Sequence, residues 1–413
     1  MCLVVFPFKK ENPQVVLNNV KIAAQHPKVD EVLCVGVEKE ETYRSLEQNI
    51  PQLKMETNKD INLILQERIG NKRPGKGDGM NTALKYFLEE TDHNEILFFD
   101  SDITTFGPNW ISKLLEGAEL GYPVVRHYFP RCSTDGMITW MITKTGFALL
   151  WPTSELPWIE QPLGGELLFK REVVERFLQQ EEVRNRSDWG IDTMYTFYSV
   201  KYCYPMLETY ISEGKLHKLY GKLTDLKTML VECFDTIQSL RDHSLELIPK
   251  VNEMEGSFLC KGGIIHRAEH PHEVPQDVFE KIGFDIEGSL TLLMENWTPG
   301  MEDLLSVFPR RIRDGVYANK KAPSFSFLDE HTWREAYLIL LDHFDINNED
   351  WQEILFKLWV GRVLCYTTTI ALRGYYFAMR YLYSMIDRYM NYSAKHKIKK
   401  AKKEEKNENS SCA

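Results

Sequence analysis

Residues 95–110 read EILFFDSDITTFGPNW. Ile96, Leu97, Phe98 and Phe99 form a short apolar run that leads straight into Asp100, Ser101 and Asp102. A run of this length, bounded by turn residues, suits a buried strand. Pro108 then opens PNWISKLLEGAE, whose apolar spacing predicts a helix. A buried strand that ends in two carboxylates puts them side by side, where they repel unless something positive lies between them.

The same alternation runs through the first half of the chain. Strand-like runs occupy 2–8, 32–37 (VLCVGV), 61–65 (INLIL) and 122–129 (YPVVRHYF). Helical patterns separate them: PQVVLNNVKIAAQHP, ETYRSLEQNIPQL and GMNTALKYFLEET. Strands alternating with helices predict an α/β domain whose mostly parallel sheet is covered on both faces. Ligands of such sheets bind beyond the carboxyl ends of the strands, which is where Asp100 and Asp102 fall. From about residue 223 the pattern turns to long amphipathic helices. The expected division is a catalytic domain over 1–222, a mainly helical domain over 223–393, and a disordered lysine-rich tail over 394–413.

Composition bounds the function. The 413 residues carry a net charge of -10, which argues against a nucleic-acid partner. Eight cysteines without a CxxC pair fit a reducing compartment. The amino-terminal MCLVVFPFKK lacks a basic segment ahead of its apolar run and reads as a first strand, not a signal peptide. The apolar stretch 358–385 is broken by Arg362, Arg373 and Arg380, so no membrane span is expected and the default location is cytoplasmic.

Two aspartates one residue apart at a strand end suit a hard divalent cation, Mg²⁺ or Mn²⁺, bridging to phosphate oxygens. The segment 66–84, QERIGNKRPGKGDGMNTAL, brings four glycines and the cations Lys72, Arg73 and Lys76 to a helix start, where backbone amides favour anions. Gly70–Lys76 matches GxxxxGK, but Gly77 stands where a phosphate-binding P-loop needs Ser or Thr, so that reading fails. In ISEGKLHKLYGKL, residues 211–223, His217 lies among Lys215, Lys218 and Tyr220, all suited to phosphate. Gly214 and Gly221 are candidate hinges for a closing loop. In HRAEHPHE, His266 and His270 have zinc-like spacing, but Pro271 breaks any helix and a polar loop is the better reading.

Taken together, LVVFPFK, ERIGNKRPGKGDGMNTAL, DSDITTFGPNWI, VRHYFPRCSTDGMITWMITKTGFALLWP, WIEQPLGGELL, RSDWGIDTMYTF and EGKLHKLYG closely resemble the mannosylglycerate synthase family. The resemblance covers nearly the whole chain except the tail. It implies a retaining glycosyltransferase of the GT-A fold, a Rossmann-like mixed sheet with a helical C-terminal region. It implies GDP-mannose as donor, D-glycerate as acceptor, a divalent cation (Mg²⁺ or Mn²⁺, with Ca²⁺ a further candidate) and a homo-oligomer. By the same resemblance Asp102 and His217 bind the metal, and Asp100 lies near the donor sugar. Lys76 and Asp78, with Gln66 beside them, match guanine-side contacts. Lys9 and Tyr220 match positions near the diphosphate, and Trp189 and Asp192 positions near the mannose. Arg131, Thr139 and the backbone of Gly136 and Met137 match the acceptor pocket. The family pattern DAD is DSD here, and Gly136 replaces a familiar alanine.

The chemistry agrees: an arginine suits a small carboxylate acceptor. Leu163, Gly164 and Gly165 let backbone approach a sugar closely. Three other readings stand beside this one. The first is the same chemistry with a glucosyl donor, or with lactate or glycolate as acceptor. The second is a sugar-phosphate nucleotidyltransferase, and the third a binding protein without turnover.

Overall fold

The computed structural model describes residues 1–216, 223, 225–245, 264–267 and 274–411, with backbone alone at 225, 277, 280 and 397–411. It divides into two units. The first holds 1–130, 159–219 and 248–274, and the second 131–158, 220–247 and 275–413.

In the first unit the apolar runs form strands β1 (Cys2–Phe8), β2 (Glu31–Gly36), β3 (Asp60–Leu65), β4 (Glu95–Phe98) and β5 (Val124–Tyr128). Three more complete the sheet: β6 (Leu167–Lys170), β7 (Met206–Tyr210) and β8 (Ile265–Arg267). Their order is β3-β2-β1-β4-β6-β5-β7-β8. All neighbours are parallel except β6, which runs antiparallel to both β4 and β5. The mixed sheet is therefore as the resemblance implied. The chain moves outward from β1 through β2 to β3, then returns to lay β4 on the other side of β1. That reversal makes the ends of β1 and β4 the switch point where ligands of open α/β sheets bind.

Helices α1 (Pro13–Gln25), α2 (Glu41–Thr57), α3 (Lys76–Glu90) and α4 (Pro108–Glu119) follow the first four strands. The Asn12 side chain caps α1, accepting from the amides of Gln14 and Val15 at 2.9 and 3.4 Å, with Pro13 next. Trp110, Ile111, Leu114, Leu115 and Ala118 of α4 bury against β-strand residues such as Leu97, Val125 and Leu207 in one core. That spacing is one apolar helical face, and its burial is the main stabilising term. His266, the first histidine of the zinc-like spacing, lies buried on β8 and hydrogen-bonds the Tyr122 hydroxyl at 2.5 Å, while His270 lies outside the described residues.

The second unit is helical, as expected. Its centre is the helix Glu349–Thr369, buried along almost its whole length. By length and composition the span Glu349–Arg373 could cross a membrane, with an 18-residue window of mean hydropathy 1.3, but 83% of that window is buried inside the protein. Lys357 within it donates to the carbonyl of Leu292 at 2.8 Å, and Arg362 to the Tyr381 hydroxyl at 3.0 Å. A core helix that keeps two cations must give each a partner, and this one does.

Two expectations differ from the structure. Residues 131–158 group with the helical unit, not with the sheet. The reason is hydrogen bonding: side chains of two long helices reach their carbonyls. Trp333 Nε1 donates to Met141 at 3.1 Å and the Tyr337 hydroxyl to Ile142 at 2.9 Å. Trp359 Nε1 donates to Met137 at 3.3 Å and the Tyr366 hydroxyl to Ser133 at 2.7 Å. The lysine-rich end continues a helix, Tyr375–Ser411, where disorder was expected. Ala, Lys and Glu are strong helix formers even without an apolar face.

Candidate active site

The two aspartates sit on a rigid loop at the switch point. Phe99 and Phe106, at either end of the loop, pack on each other at 4.9 Å between ring centres, and Phe106 packs on Phe6 of β1 at 5.5 Å. Asn19 of α1 donates to the carbonyls of Ser101 and Ile103 at 3.2 and 2.9 Å. Buried aromatics below and an amide clamp behind hold Asp100 and Asp102 in place. Ser101 between them is buried.

Asp100 belongs to a chain of alternating charges. Lys76, the first residue of α3, places Nζ 3.2 Å from Asp100 Oδ1 and 2.9 Å from Asp192 Oδ2. Lys215 places Nζ 2.5 Å from Asp100 Oδ2 and 2.6 Å from Glu166 Oε1. Asp192 and Glu166 are 4% and 0% exposed at the side chain, while Asp100 keeps 30%, which leaves it open to a ligand. Three carboxylates and two ammonium groups leave one negative charge in excess. Burial alone would push the Asp100 carboxyl up, but Lys215 and Lys76 hold it well below the usual range. Burial raises both Glu166 and Asp192, and the neighbouring lysines offset only part of that. Burial opposes charge on Lys76 and Lys215 too, yet Asp100 heads the attractions that raise both.

The surroundings are built for this cluster. Gly165 passes so close that a Cβ there would lie 2.6 Å from Asp100 Oδ1 and 2.7 Å from Lys76 Nζ. Arg126, buried in β5, donates to the carbonyls of Gly164 and Pro162 at 3.1 and 3.4 Å and so shapes the turn that carries Leu163, which is half-buried. Trp189 lies under Lys76, with Nζ 5.8 Å from its ring centre.

The glycine-rich segment works differently from a phosphate cradle. The amides of Gly77 and Asp78 donate to the carbonyls of Asp188 and Ser187 at 3.2 and 3.1 Å, so the start of α3 gives these donors to the protein. A Cβ at Gly77 would lie 2.2 Å from the Arg186 carbonyl, and one at Gly70 2.7 Å from that of Asn185. These glycines serve the close packing of 70–78 on 184–188. Asp78 is wholly buried. Its Oδ1 accepts from the amides of Ile69 and Gly70 at 3.1 and 2.9 Å, and its Oδ2 from Arg68 at 2.6 Å. It shapes the loop from inside. Gln66 follows β3, with its amide on the Gly36 carbonyl at 2.8 Å and its side-chain oxygen over Gly79.

Lys9 is exposed just past β1, and its amide donates to Glu11 Oε2 at 2.5 Å. Lys215, expected to meet phosphate, is engaged by Asp100 and Glu166 instead. Gly214 before it has φ +71°, a left-handed turn that favours glycine. The segment is stitched to the aspartate loop: the amide of Thr104 donates to Leu216 at 2.7 Å and the Thr105 hydroxyl to Gly214 at 2.8 Å. His217, Lys218, Tyr220 and Gly221 lie outside the described residues. Sequence reasoning missed Glu166, Glu11 and Arg126. A lone arginine in the apolar VVRHY was the available signal, since a cation in a buried strand demands partners.

The acceptor candidates lie in the second unit. Arg131 Nε is 3.9 Å from Asp135 Oδ2, and its guanidinium packs over Gly136, whose Cβ would meet it at 3.0 Å. Gly136 has φ +63°, so alanine would be strained there. Met137 and Thr139 are buried, and Thr139–Lys144 is a π-helical turn, a form often found at functional sites.

A family model described as mannosylglycerate synthase, GT domain, matches residues 2–239, and one described as mannosylglycerate synthase C-terminal domain matches 278–386. The chain is 54% identical over 389 residues to a mannosylglycerate synthase of Rhodothermus marinus, covering 94% of each. It is 50% identical over 388 residues to one of Selaginella moellendorffii, covering 94% of this chain and 89% of that one. Among solved structures, glucosyl-3-phosphoglycerate synthase from Mycobacterium tuberculosis in complex with Mn²⁺, UDP-glucose and phosphoglyceric acid matches with TM-score 0.45 and 18% identity, over 58% of this chain and 79% of that one.

Proposed function

The chain belongs to the mannosylglycerate synthase family, and from that premise we propose that it transfers mannose from GDP-mannose to D-glycerate, giving 2-O-α-mannosylglycerate with retention. It is a glycosyltransferase of the GT-A class. The observation that carries the reading is the Asp192–Lys76–Asp100 row at the switch point of the sheet. Carboxylates accept from sugar hydroxyls, and an ammonium group attracts phosphate oxygens.

A divalent cation fits the donor set, with Asp102 and His217 as the residues that would hold it. Burial, and after it Asp102 and Asp100, raise the Glu11 carboxyl, so these carboxylates feel one another as a cation-binding edge does. Among the described residues no group of three metal-ligating side chains forms a ready cage. Mg²⁺ and Mn²⁺ sites commonly complete themselves with diphosphate and water. When bound, the ion supplies charge neutralisation of the departing diphosphate.

The protein's own groups orient and stabilise. Asp192 and Asp100 fix the mannose. Gln66 and the loop that Asp78 shapes read the guanine, and Lys9 and Tyr220 meet the diphosphate. Arg131 takes the glycerate carboxylate, with Thr139, Gly136 and Met137 lining the pocket. The sugar–diphosphate bond breaks as the glycerate hydroxyl attacks from the same face, and the hydroxyl proton passes to a leaving phosphate oxygen. A cytoplasmic location is part of the same proposal. Self-association has apolar surface available at Leu372, Tyr376 and Phe377.

The deciding experiment incubates the protein with Mg²⁺, a panel of GDP- and UDP-sugars, and D-glycerate, lactate or glycolate, with NMR identification of the product. Absence of transfer to D-glycerate refutes the reading. Pyrophosphate released from GTP and mannose 1-phosphate would make the protein a nucleotidyltransferase instead.

A further inference from the structure

Glu166 has no part in the donor, metal or acceptor roles above, yet it is the most enclosed member of the charge row. Its side chain is fully buried, Oε1 accepts from Lys215 at 2.6 Å, and Oε2 has no hydrogen-bond partner among the described residues. Burying a carboxylate oxygen without a donor is costly, so its charge must be balanced close by. The fold also fixes the backbone on either side. The amide of His127 donates to the Glu166 carbonyl at 3.0 Å, and Arg126 donates to Gly164 just before it.

We propose that Glu166 is a positioning residue of the donor site, acting through Lys215. The ammonium of Lys215 is divided between Glu166 and Asp100. Glu166 draws it aside, so Asp100, whose Oδ1 meets Lys76 and whose Oδ2 meets Lys215, keeps part of its charge and its exposed edge for the donor sugar. The same pull seats 214–216 on the aspartate loop, through Thr104 and Thr105. Two consequences follow. Without the Glu166 charge, Lys215 pairs fully with Asp100 and masks it. Without Lys215, Glu166 and Asp100 repel each other in one cluster with one cation fewer. Both changes damage the donor side and leave the acceptor side alone. This inference rests on the glycosyl-transfer reading for its choice of donor.

The test compares full-length wild type with Glu166→Gln, Glu166→Asp, Lys215→Met and the double variant Glu166→Gln/Lys215→Met. Each is measured for kcat and KM with GDP-mannose and with D-glycerate, for hydrolysis of GDP-mannose without acceptor, for calorimetric affinity for GDP-mannose with Mn²⁺, and for thermal midpoint. Glu166→Gln keeps the shape and an acceptor for Lys215 but removes the charge. It should lower kcat/KM for the donor and the hydrolysis rate together, by about 30- to 100-fold, with KM for D-glycerate within about twofold. Glu166→Asp should recover part of the loss, and the double variant should be no worse than the worse single variant. Donor kcat/KM within about threefold of wild type in Glu166→Gln overturns the proposal, as does an equal rise in KM for D-glycerate. A wild type that binds and hydrolyses GDP-mannose but never transfers to D-glycerate refutes the function above, and the comparison then rests on donor affinity and hydrolysis.

Discussion

Gly165→Ala probes the charge row with a single added methyl. Its Cβ would stand 2.6 Å from Asp100 Oδ1 and 2.7 Å from Lys76 Nζ, where ordinary contact begins at 3.4 Å. The shortfalls are 3.4 - 2.6 = 0.8 Å and 3.4 - 2.7 = 0.7 Å. Both clashing atoms end side chains, so they can yield and the backbone can stay. They cannot yield without loss, because Lys76 must then give up its 3.2 Å contact with Asp100 or its 2.9 Å contact with Asp192. Overpacking of this kind costs about 1 to 3 kcal/mol of stability, and the flexible ends place it near the lower figure. Activity should suffer more, since displacing a reacting constellation by about 1 Å costs on the order of 100-fold in rate. Steady-state kinetics for both substrates, run beside a thermal melt, separate the two effects. A variant within about threefold of wild-type kcat/KM, with its melt unchanged, would show that Asp100 and Lys76 are not held in reacting geometry. A collapse of the melt would make Gly165 a folding position instead.

His127 is buried and neutral, with Nδ1 on the Thr209 hydroxyl at 2.7 Å and Nε2 on the Trp110 carbonyl at 2.8 Å, and burial lowers it from 6.5 to about 3. The unfolded chain takes up a proton near pH 6.5 and the folded one only near 3, so about 4 to 5 kcal/mol of stability present above that window is lost as pH falls through it. In His127→Gln the midpoint should be lower at neutral pH but fall less steeply with acid, and an unchanged slope refutes the assignment. Asp102→Ala should abolish turnover and the metal-dependent part of GDP binding, read by calorimetry with and without Mn²⁺; unchanged metal-dependent affinity removes Asp102 from the metal site. Arg131→Ala should reduce kcat/KM for D-glycerate by about 30- to 1000-fold while sparing GDP-mannose hydrolysis, with Arg131→Lys restoring only part. Equal losses in both rates would place Arg131 on the donor side or in the fold.

Much of the site was legible because its residues announce themselves locally. Asp100 and Asp102 end an apolar run, and that alone puts them at a sheet edge. Lys76 lies in a glycine-rich helix start, although the amides around it turned out to serve the chain, not an anion. Asp78, placed on the guanine side by the resemblance alone, has its carboxylate engaged by Arg68 and by the amides of Ile69 and Gly70, contacts that no local pattern announces. Lys215 looked like a free loop cation and is instead locked between two acids. Its partners lie 115 and 49 residues away, so no window on the sequence contains the pairing.

The sequence by itself determined the α/β order of the first half, the helical character of the second, and the strand whose end carries the aspartates. Those follow from periodicity and turn residues, which act over a few positions and survive being read in one dimension. The tertiary structure alone decided that β6 reverses the sheet between β4 and β5, and that 131–158 joins the helices. It also decided that Glu166, Lys215, Asp100, Lys76 and Asp192 alternate in sign within one buried row. Each of these depends on which distant groups must share charge or a hydrogen bond once water is excluded. That constraint acts through space, and a buried carboxylate takes its partner from whichever strand or loop the fold brings beside it.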